Sequence, residues 1–306
     1  MPETIAFSGT IVKGVGGLYT IRTSDGTFVL ATPRGILRRR KIVPTVGDRV
    51  EIESSGDPDV PYIISDVLPR KNLLIRPSIS NVDVLILTIS TQKPVPYFEM
   101  LDKMLILCIK NSIHPVIWIT KMDLDSDAGE IIRAVYEKAG FDVLCSAESD
   151  AVDEKLFQKY FEGNTVGFAG QSGVGKSTLC NMITGISERE VGMVSKRNNS
   201  GKHTTRHVEL FPIGSGYLID SPGFTNLDII ETDIEICDIM NGYLELTAIE
   251  EKCQFDDCRH IGELGCRIAD ANMDPGRLER YRLIIRQAED RDNNRTTGRE
   301  KKHGKL

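Results

Sequence analysis

The chain has 306 residues, 40% hydrophobic and 27% charged, with a formal net charge of −6. This is the make-up of a globular protein of two or three domains, and it argues against a uniformly basic nucleic-acid binder. The longest apolar run, VDVLILTI, carries an aspartate and falls short of the about 18 residues that suggest a membrane span; the N-terminus MPETIAFSGTIVKG lacks the blocks of a secretory signal. Seven cysteines, an odd number, point to thiols or metal ligands in a reducing, cytoplasmic setting rather than a disulfide scaffold.

Residues 1–70 read as about five short strands with Ser-Asp-Gly and Ser-Gly-Asp-Pro turns, a pattern that suits a small β-barrel of OB type. An SH3-like barrel would leave the same pattern, and the barrel serves either to bind RNA or as a spacer. The basic stretch RGILRRRK is expected on one of its loops. Residues 71–229 alternate strand and helix. The runs VDVLILTIS, HPVIWITK, FDVLCSA and TVGFAG are of buried-strand type; YFEMLDKMLILCIKN, DAGEIIRAVYEKAG and KSTLCNMI have helical spacing; HVELFPI and GYLIDSPG complete the set. The expectation is a doubly wound α/β domain that binds ligands beyond the carboxyl ends of its strands. Residues 230–306 read as helical and charged around a cysteine cluster, ending in a polar segment, RDNNRTTGREKKHGKL, expected to be disordered.

The segment Gly170-Gln171-Ser172-Gly173-Val174-Gly175-Lys176-Ser177 fits G-x-x-x-x-G-K-[ST] between a strand and a helix. Its glycines let backbone N–H groups approach phosphate oxygens, and the helix that continues through Thr178 adds its dipole. Lys176 is expected on the β- and γ-phosphates and Ser177 on Mg²⁺. Asp220, ending an apolar strand in LIDSPG, is a second Mg²⁺ partner, with the Gly223 amide sensing the γ-phosphate. Thr204 or Thr205 in NNSGKHTTRH offers a further hydroxyl, and the sequence does not decide which.

Thr120-Lys121-Met122-Asp123 falls at another strand end. Asp123 can accept from guanine N1–H and the 2-amino group, donors that adenine lacks; sites of that kind reject the wrong ligand by roughly 10⁴–10⁵-fold. The Lys121 stem would lie over the base, and the Ala147 amide after Ser146 would meet guanine O6. This base reader precedes the phosphate loop, the reverse of the ordinary GTPase order. A circular permutation reconciles the two, because a site at neighbouring strand ends does not depend on which loop is translated first.

Cys253, Cys258, His260 and Cys266 have the spacing C-x4-C-x-H-x5-C. Three thiolates and an imidazole close a tetrahedron, which marks a structural zinc. Cys108, Cys145, Cys180 and Cys237 are expected as packed side chains.

The permuted order, GQSGVGKS, GKHTT, DSPGF and the cysteine–histidine cluster together resemble the RsgA (YjeQ) family of circularly permuted GTPases over nearly the whole chain. The resemblance implies an OB barrel, a permuted GTPase domain and a zinc domain. It also implies GTP hydrolysis during late maturation of the small ribosomal subunit, contact with that subunit and its rRNA, and a monomer. Thr120 departs from the family's more frequent Asn, which bears on the contact to the N7 side of the base.

Phe224 stands where many GTPases place a water-orienting Gln, so slow intrinsic hydrolysis is expected, with His203 as a candidate helper. Loss of the γ-phosphate could pass along the backbone from the D-x-x-G strand into the zinc domain. Two other readings compete: an ATP-using P-loop enzyme, and an RNA-binding scaffold that holds nucleotide without turnover.

Overall fold

The computed structural model describes residues 7–75, 77–147, 154–191, 208–220, 234–249 and 251–303. Five strands open it: β1 (Phe7–Val15), β2 (Leu18–Thr23), β3 (Phe28–Pro33), β4 (Arg49–Ser54) and β5 (Tyr62–Val67). Antiparallel pairs run β1–β2, β2–β3, β4–β5 and β1–β4, and β3 pairs in parallel with β5. That ring closes an OB barrel and leaves no free edge within it. Its interior is filled by Ile11, Ile21, Ala31, Val50, Ile52 and Ile64 from alternating positions.

RGILRRRK is not a loop. Gly35–Arg39 forms a short helix, α1, between β3 and β4, because Leu37 is drawn into the barrel core while Arg38 and Arg39 favour the carboxyl end of the helix dipole. Arg34 and Arg40 pair with Glu53 and Asp66, at 3.3 and 3.8 Å.

After a hairpin of β6 (Leu73–Ile75) and β7 (Ser78–Ser80), the chain enters the α/β domain. Its elements are β8 (Val84–Ser90), α2 (Phe98–Lys110), β9 (His114–Thr120), α3 (Ser126–Lys138), β10 (Asp142–Cys145) and α4 (Glu154–Tyr160). Then come β11 (Thr165–Gly170), α5 (Lys176–Val191), β12 (Glu209–Ile213) and β13 (Gly216–Asp220). The strand order is β10-β9-β8-β11-β13-β12, parallel except for β12. Every residue of β8 and β11 is buried, as helices on both faces of a parallel sheet require. Strand β1 changes register between Ile11 and Lys13; its far end stays paired with β2 and also pairs with β12, Lys13 opposite Glu209. Barrel and α/β domain thereby share one continuous sheet.

The last part carries α6 (Ile236–Gly242), α7 (Leu244–Thr247), a 3-10 turn (Ile268–Ala271) and α8 (Pro275–His303). Helix α6 lies directly on α2: a Cβ on Gly242 would sit 2.6 Å from the Ile106 side chain. The polar C-terminal segment, expected to be disordered, is helical as far as His303, its backbone continuing the turns begun at Pro275. Among the described residues no helix is long and apolar enough to cross a membrane.

Candidate nucleotide and metal sites

The parallel strands bring the two separated motifs to one edge of the sheet. Strand β8 lies between β9 and β11, with Ser90 opposite Thr120 and Thr88 opposite Gly170. The base-reading segment after β9 and the phosphate loop after β11 therefore flank the carboxyl end of β8, although Thr120 precedes Gly170 by fifty positions in the chain.

They are also tied together. Thr120, 5% exposed, donates its hydroxyl to the Val174 carbonyl at 2.6 Å and lies 3.3 Å from that of Ile89. The Lys121 ammonium donates to the Gly173 carbonyl at 2.9 Å and to that of Lys93, while the Thr91 hydroxyl donates to the Lys121 carbonyl at 2.8 Å. Lys121 itself adopts a φ of 60°, the turn that sends its side chain back across the phosphate loop. The Thr120 hydroxyl is thus used within the protein, and no amide is needed to hold the two loops in register. Thr120→Val removes that donor at nearly constant volume, at a cost of about 1–3 kcal/mol. Guanine-nucleotide titrations are expected to show weaker binding for the valine variant and near-native binding for Thr120→Asn.

The second base loop is joined to the first. Ser146 donates its backbone N–H to the Ile119 carbonyl at 2.9 Å and accepts from the Met122 N–H at 3.2 Å. The Ser146 hydroxyl accepts from Trp118 Nε1 at 2.9 Å in a buried contact. Met122 packs beneath α3, where a Cβ on Gly129 would lie 2.2 Å from its sulfur. Asp123 is exposed at the loop surface, and Ala147 is half-buried beside Ser146.

In the phosphate loop, Gly170, Gly173 and Gly175 have φ of 140°, 82° and 104°, values that disfavour any side chain. At Gly170 a Cβ would also lie 2.3 Å from the Thr88 carbonyl oxygen. Val174 is buried and anchors the loop, while Ser172, Ser177 and Thr178 are exposed and Gln171 is half-buried. Lys176 arches over the loop and donates to the carbonyls of Gly170 and Gln171, at 2.7 and 2.6 Å; burial lowers its pKa below the ordinary lysine value. Asp220 is exposed at the end of β13, cross-strand from Glu209. His203, Thr204, Thr205, Gly223 and Phe224 lie outside the described residues.

The segment 91–97 was not singled out from sequence, yet Lys93 supplies the carbonyl that takes the Lys121 ammonium and Pro94 lies beside Gly173. Its signal was available: TQKPVPY follows a fully buried strand, at the sheet edge where ligand loops gather.

The cysteine–histidine cluster is compact. The ligand atoms of Cys253, Cys258, His260 and Cys266 all lie within 4.8 Å of one another. The three sulfurs are 3.5, 3.7 and 3.4 Å from His260 Nδ1. A tetrahedron with zinc–sulfur bonds near 2.3 Å and a zinc–nitrogen bond near 2.0 Å has N···S edges of about 3.5 Å, so the donor set fits the ion in kind and in spacing. The turn is made by His260 at φ 58°, Gly262 and Gly265, and the Arg267 N–H donates to Cys253 Sγ at 3.3 Å.

With this geometry established, comparison with known proteins decides the kinship. The family described as RsgA GTPase matches residues 67–230, and the RsgA N-terminal domain matches residues 8–60. The chain belongs to the RsgA GTPase family. Relatives named small ribosomal subunit biogenesis GTPase RsgA include one from Ruminiclostridium cellulolyticum, 36% identical over 92% of this chain and 94% of that protein. Another, from Bacillus anthracis, is 38% identical over the same shares. Two solved structures share the fold. YloQ, described as a circularly permuted GTPase, is 31% identical with a TM-score of 0.75, covering 94% of this chain and 96% of its own. YjeQ from Thermotoga maritima is 30% identical with a TM-score of 0.76, covering 93% and 99%. The order of motifs in this chain is therefore the RsgA order, and the permutation inferred from TKMD and GQSGVGKS is a property of the family.

Proposed function

We propose that this RsgA-family chain binds GTP at the carboxyl ends of β8 to β11 and β13 and hydrolyses it while engaging the small ribosomal subunit in late maturation. The observation that carries this reading is the direct tie from Thr120 and Lys121 to the Val174 and Gly173 carbonyls: it joins a guanine-reading loop to a phosphate loop. The names of the relatives supply the subunit.

In this reading Asp123 takes the N1–H and 2-amino donors of guanine, the Lys121 stem covers the base, and the Ala147 amide meets O6. Met122 and Ser146 hold those groups in place. The amides of Gly170 through Thr178 and the start of α5 surround the phosphates, and Lys176 moves from the loop carbonyls onto the β- and γ-phosphate oxygens. The Ser177 hydroxyl and the Asp220 carboxylate are oxygen donors of the kind Mg²⁺ takes; with Thr204 or Thr205 they would hold the ion, which when bound neutralises charge on the phosphates. Gly223 would sense the γ-phosphate, and His203 is the candidate for orienting water, Phe224 having no group to do so. Cys253, Cys258, His260 and Cys266 would hold a zinc whose part is structural. The exposed Arg38, Arg39 and Lys41 beside the barrel give RNA phosphates a place to dock.

Phosphate release from GTP, measured with and without purified small subunits, tests the reading. Slow turnover alone and faster turnover with subunits is the expected result. Equal competition by ATP would favour the ATP-using alternative, and nucleotide-dependent subunit binding without phosphate release would favour the scaffold.

A further inference from the structure

The most heavily charged buried point in the described structure lies away from the nucleotide loops, on α2. Asp102 is 1% exposed and accepts four hydrogen bonds. They come from Arg277 Nη1 at 2.6 Å, Arg280 Nε at 2.5 Å, and the Tyr136 and Tyr243 hydroxyls at 2.9 and 3.2 Å. Arg277, 1% exposed, also binds Glu245 through Nε at 2.6 Å and Nη2 at 3.1 Å, and its guanidinium lies over the Tyr136 and Tyr243 rings. Burial works against its charge, but Asp102 and Glu245 outweigh that and hold its pKa above the ordinary guanidinium value. Four separated segments, α2, α3, the α6–α7 junction and α8, thus meet on one carboxylate. Well-packed apolar side chains would stabilise such a contact as well or better, so stability alone does not account for a buried ionic cluster.

Both ends of this cluster lead to a site. Toward the nucleotide, Arg280 covers the Phe98 ring at 5.1 Å and Gln287 donates to Glu99 at 3.1 Å, so α8 grips the first turn of α2. Phe98 is five residues from Lys93, whose carbonyl takes the Lys121 ammonium that also holds Gly173. Toward the metal cluster, the Tyr281 hydroxyl donates to the carbonyl of Arg259, the neighbour of His260, at 2.5 Å, and Arg259 pairs with Glu289. We propose that Asp102 is a positioning residue that couples the nucleotide loops to the cysteine–histidine unit through α2 and α8. The inference rests on guanine nucleotide binding at the loops. Any coupling of this kind is reciprocal: what nucleotide does to α8, a partner displacing the cysteine–histidine unit does to the nucleotide loops.

Amide hydrogen exchange on the full chain, with and without Mg·GDP, tests it. In the wild type, GDP is expected to slow exchange at residues 91–97 and 120–123 and, at a distance, by about fivefold across Tyr281–Ala288 of α8. In Asp102→Asn, which keeps the shape but removes the charge, the loops still respond and the α8 response disappears. An α8 response retained in Asp102→Asn, or absent from a wild type whose loops respond, overturns the proposal. A wild type whose loops do not respond to GDP overturns the nucleotide reading as well. If Asp102→Asn does not fold, Tyr136→Phe removes one hydrogen bond from the same carboxylate; there a reduced α8 response supports the proposal and an undiminished one rejects it.

Discussion

Asp123→Asn will weaken GTP binding by about 10²–10⁴-fold and shift preference toward xanthosine triphosphate. The carboxylate is expected to accept two hydrogen bonds from guanine, each worth about 1.5–3 kcal/mol because the acceptor is ionised. Their sum, about 3–6 kcal/mol, corresponds to that span of affinity. Asparagine presents an acceptor to N1–H but turns an N–H₂ donor toward the 2-amino group, donor against donor. Xanthine carries an oxygen at that position, and the asparagine donor then finds an acceptor. Trp118, the chain's one tryptophan, donates to Ser146 in the adjoining loop and gives a fluorescence signal for the titration. Because Asp123 is exposed, the melting temperature should change little. Unchanged preference for GTP over xanthosine triphosphate would remove Asp123 from base recognition, and with it the argument that TKMD is a base reader.

What the sequence disclosed about the nucleotide loops came from residues whose backbone demands are severe. Gly170, Gly173 and Gly175 sit at φ values other residues avoid, and a lysine and a serine follow at fixed spacing, so the loop is legible as a pattern of letters. The strands were legible for a similar reason. In β8 and β11 burial on both faces leaves no charged position, and the resulting largely apolar runs VLILTIS and TVGFAG stand out. The barrel was readable from its alternation, with Ile11, Ile21, Val50, Ile52 and Ile64 directed inward.

The misses have physical causes too. RGILRRRK reads as a loop if charge is weighed first, but one side chain, Leu37, settles the matter by entering the core. Thr120 looked like a weakened version of an asparagine contact to the base. Only the distance to the Val174 carbonyl shows that its hydroxyl serves the protein's own loops. The Asp102 cluster was hidden because its members are dispersed: Asp102 and Arg277 are 175 positions apart, and charged residues in a helix are ordinarily a solvated face. Its trace in the sequence was an Asp-Lys pair inside an otherwise apolar run, MLDKMLIL, where both Asp102 and Lys103 are buried. Lys103 pairs with Glu99 one turn earlier at 2.8 Å, which leaves Asp102 to the arginines of α8.

The second large effect concerns the cysteine–histidine unit. Between Glu251 and Arg267, Cys258 is the one buried residue among those described, so this segment has almost no apolar core of its own. Its shape depends on local polar ties: the Gln254 N–H to the Gly265 carbonyl at 3.1 Å, and the Glu263 carboxylate accepting from the N–H groups of Arg259, Ile261 and Gly262 at 2.7, 2.8 and 3.0 Å. Such bonds contribute roughly 1 kcal/mol each after exchange with water, too little to hold about seventeen residues against their chain entropy. Zinc bound by three thiolates and an imidazole supplies an apparent 10–16 kcal/mol, about the whole stability of a domain. Chelation, or Cys258→Ser, is therefore expected to lower zinc from one equivalent per chain to none and to open residues 251–271 to protease. The barrel and the central sheet, whose shared core draws almost nothing from residues 251–267, stay folded. Cys237→Ser, which changes a thiol outside the cluster that is exposed and not packed as expected, should leave the zinc content at one. Zinc analysis paired with mapped limited proteolysis decides the outcome: a metal-free chain still resistant between 251 and 271 would mean that the turns and the Glu263 ties suffice, and that the four ligands are not what shapes this unit.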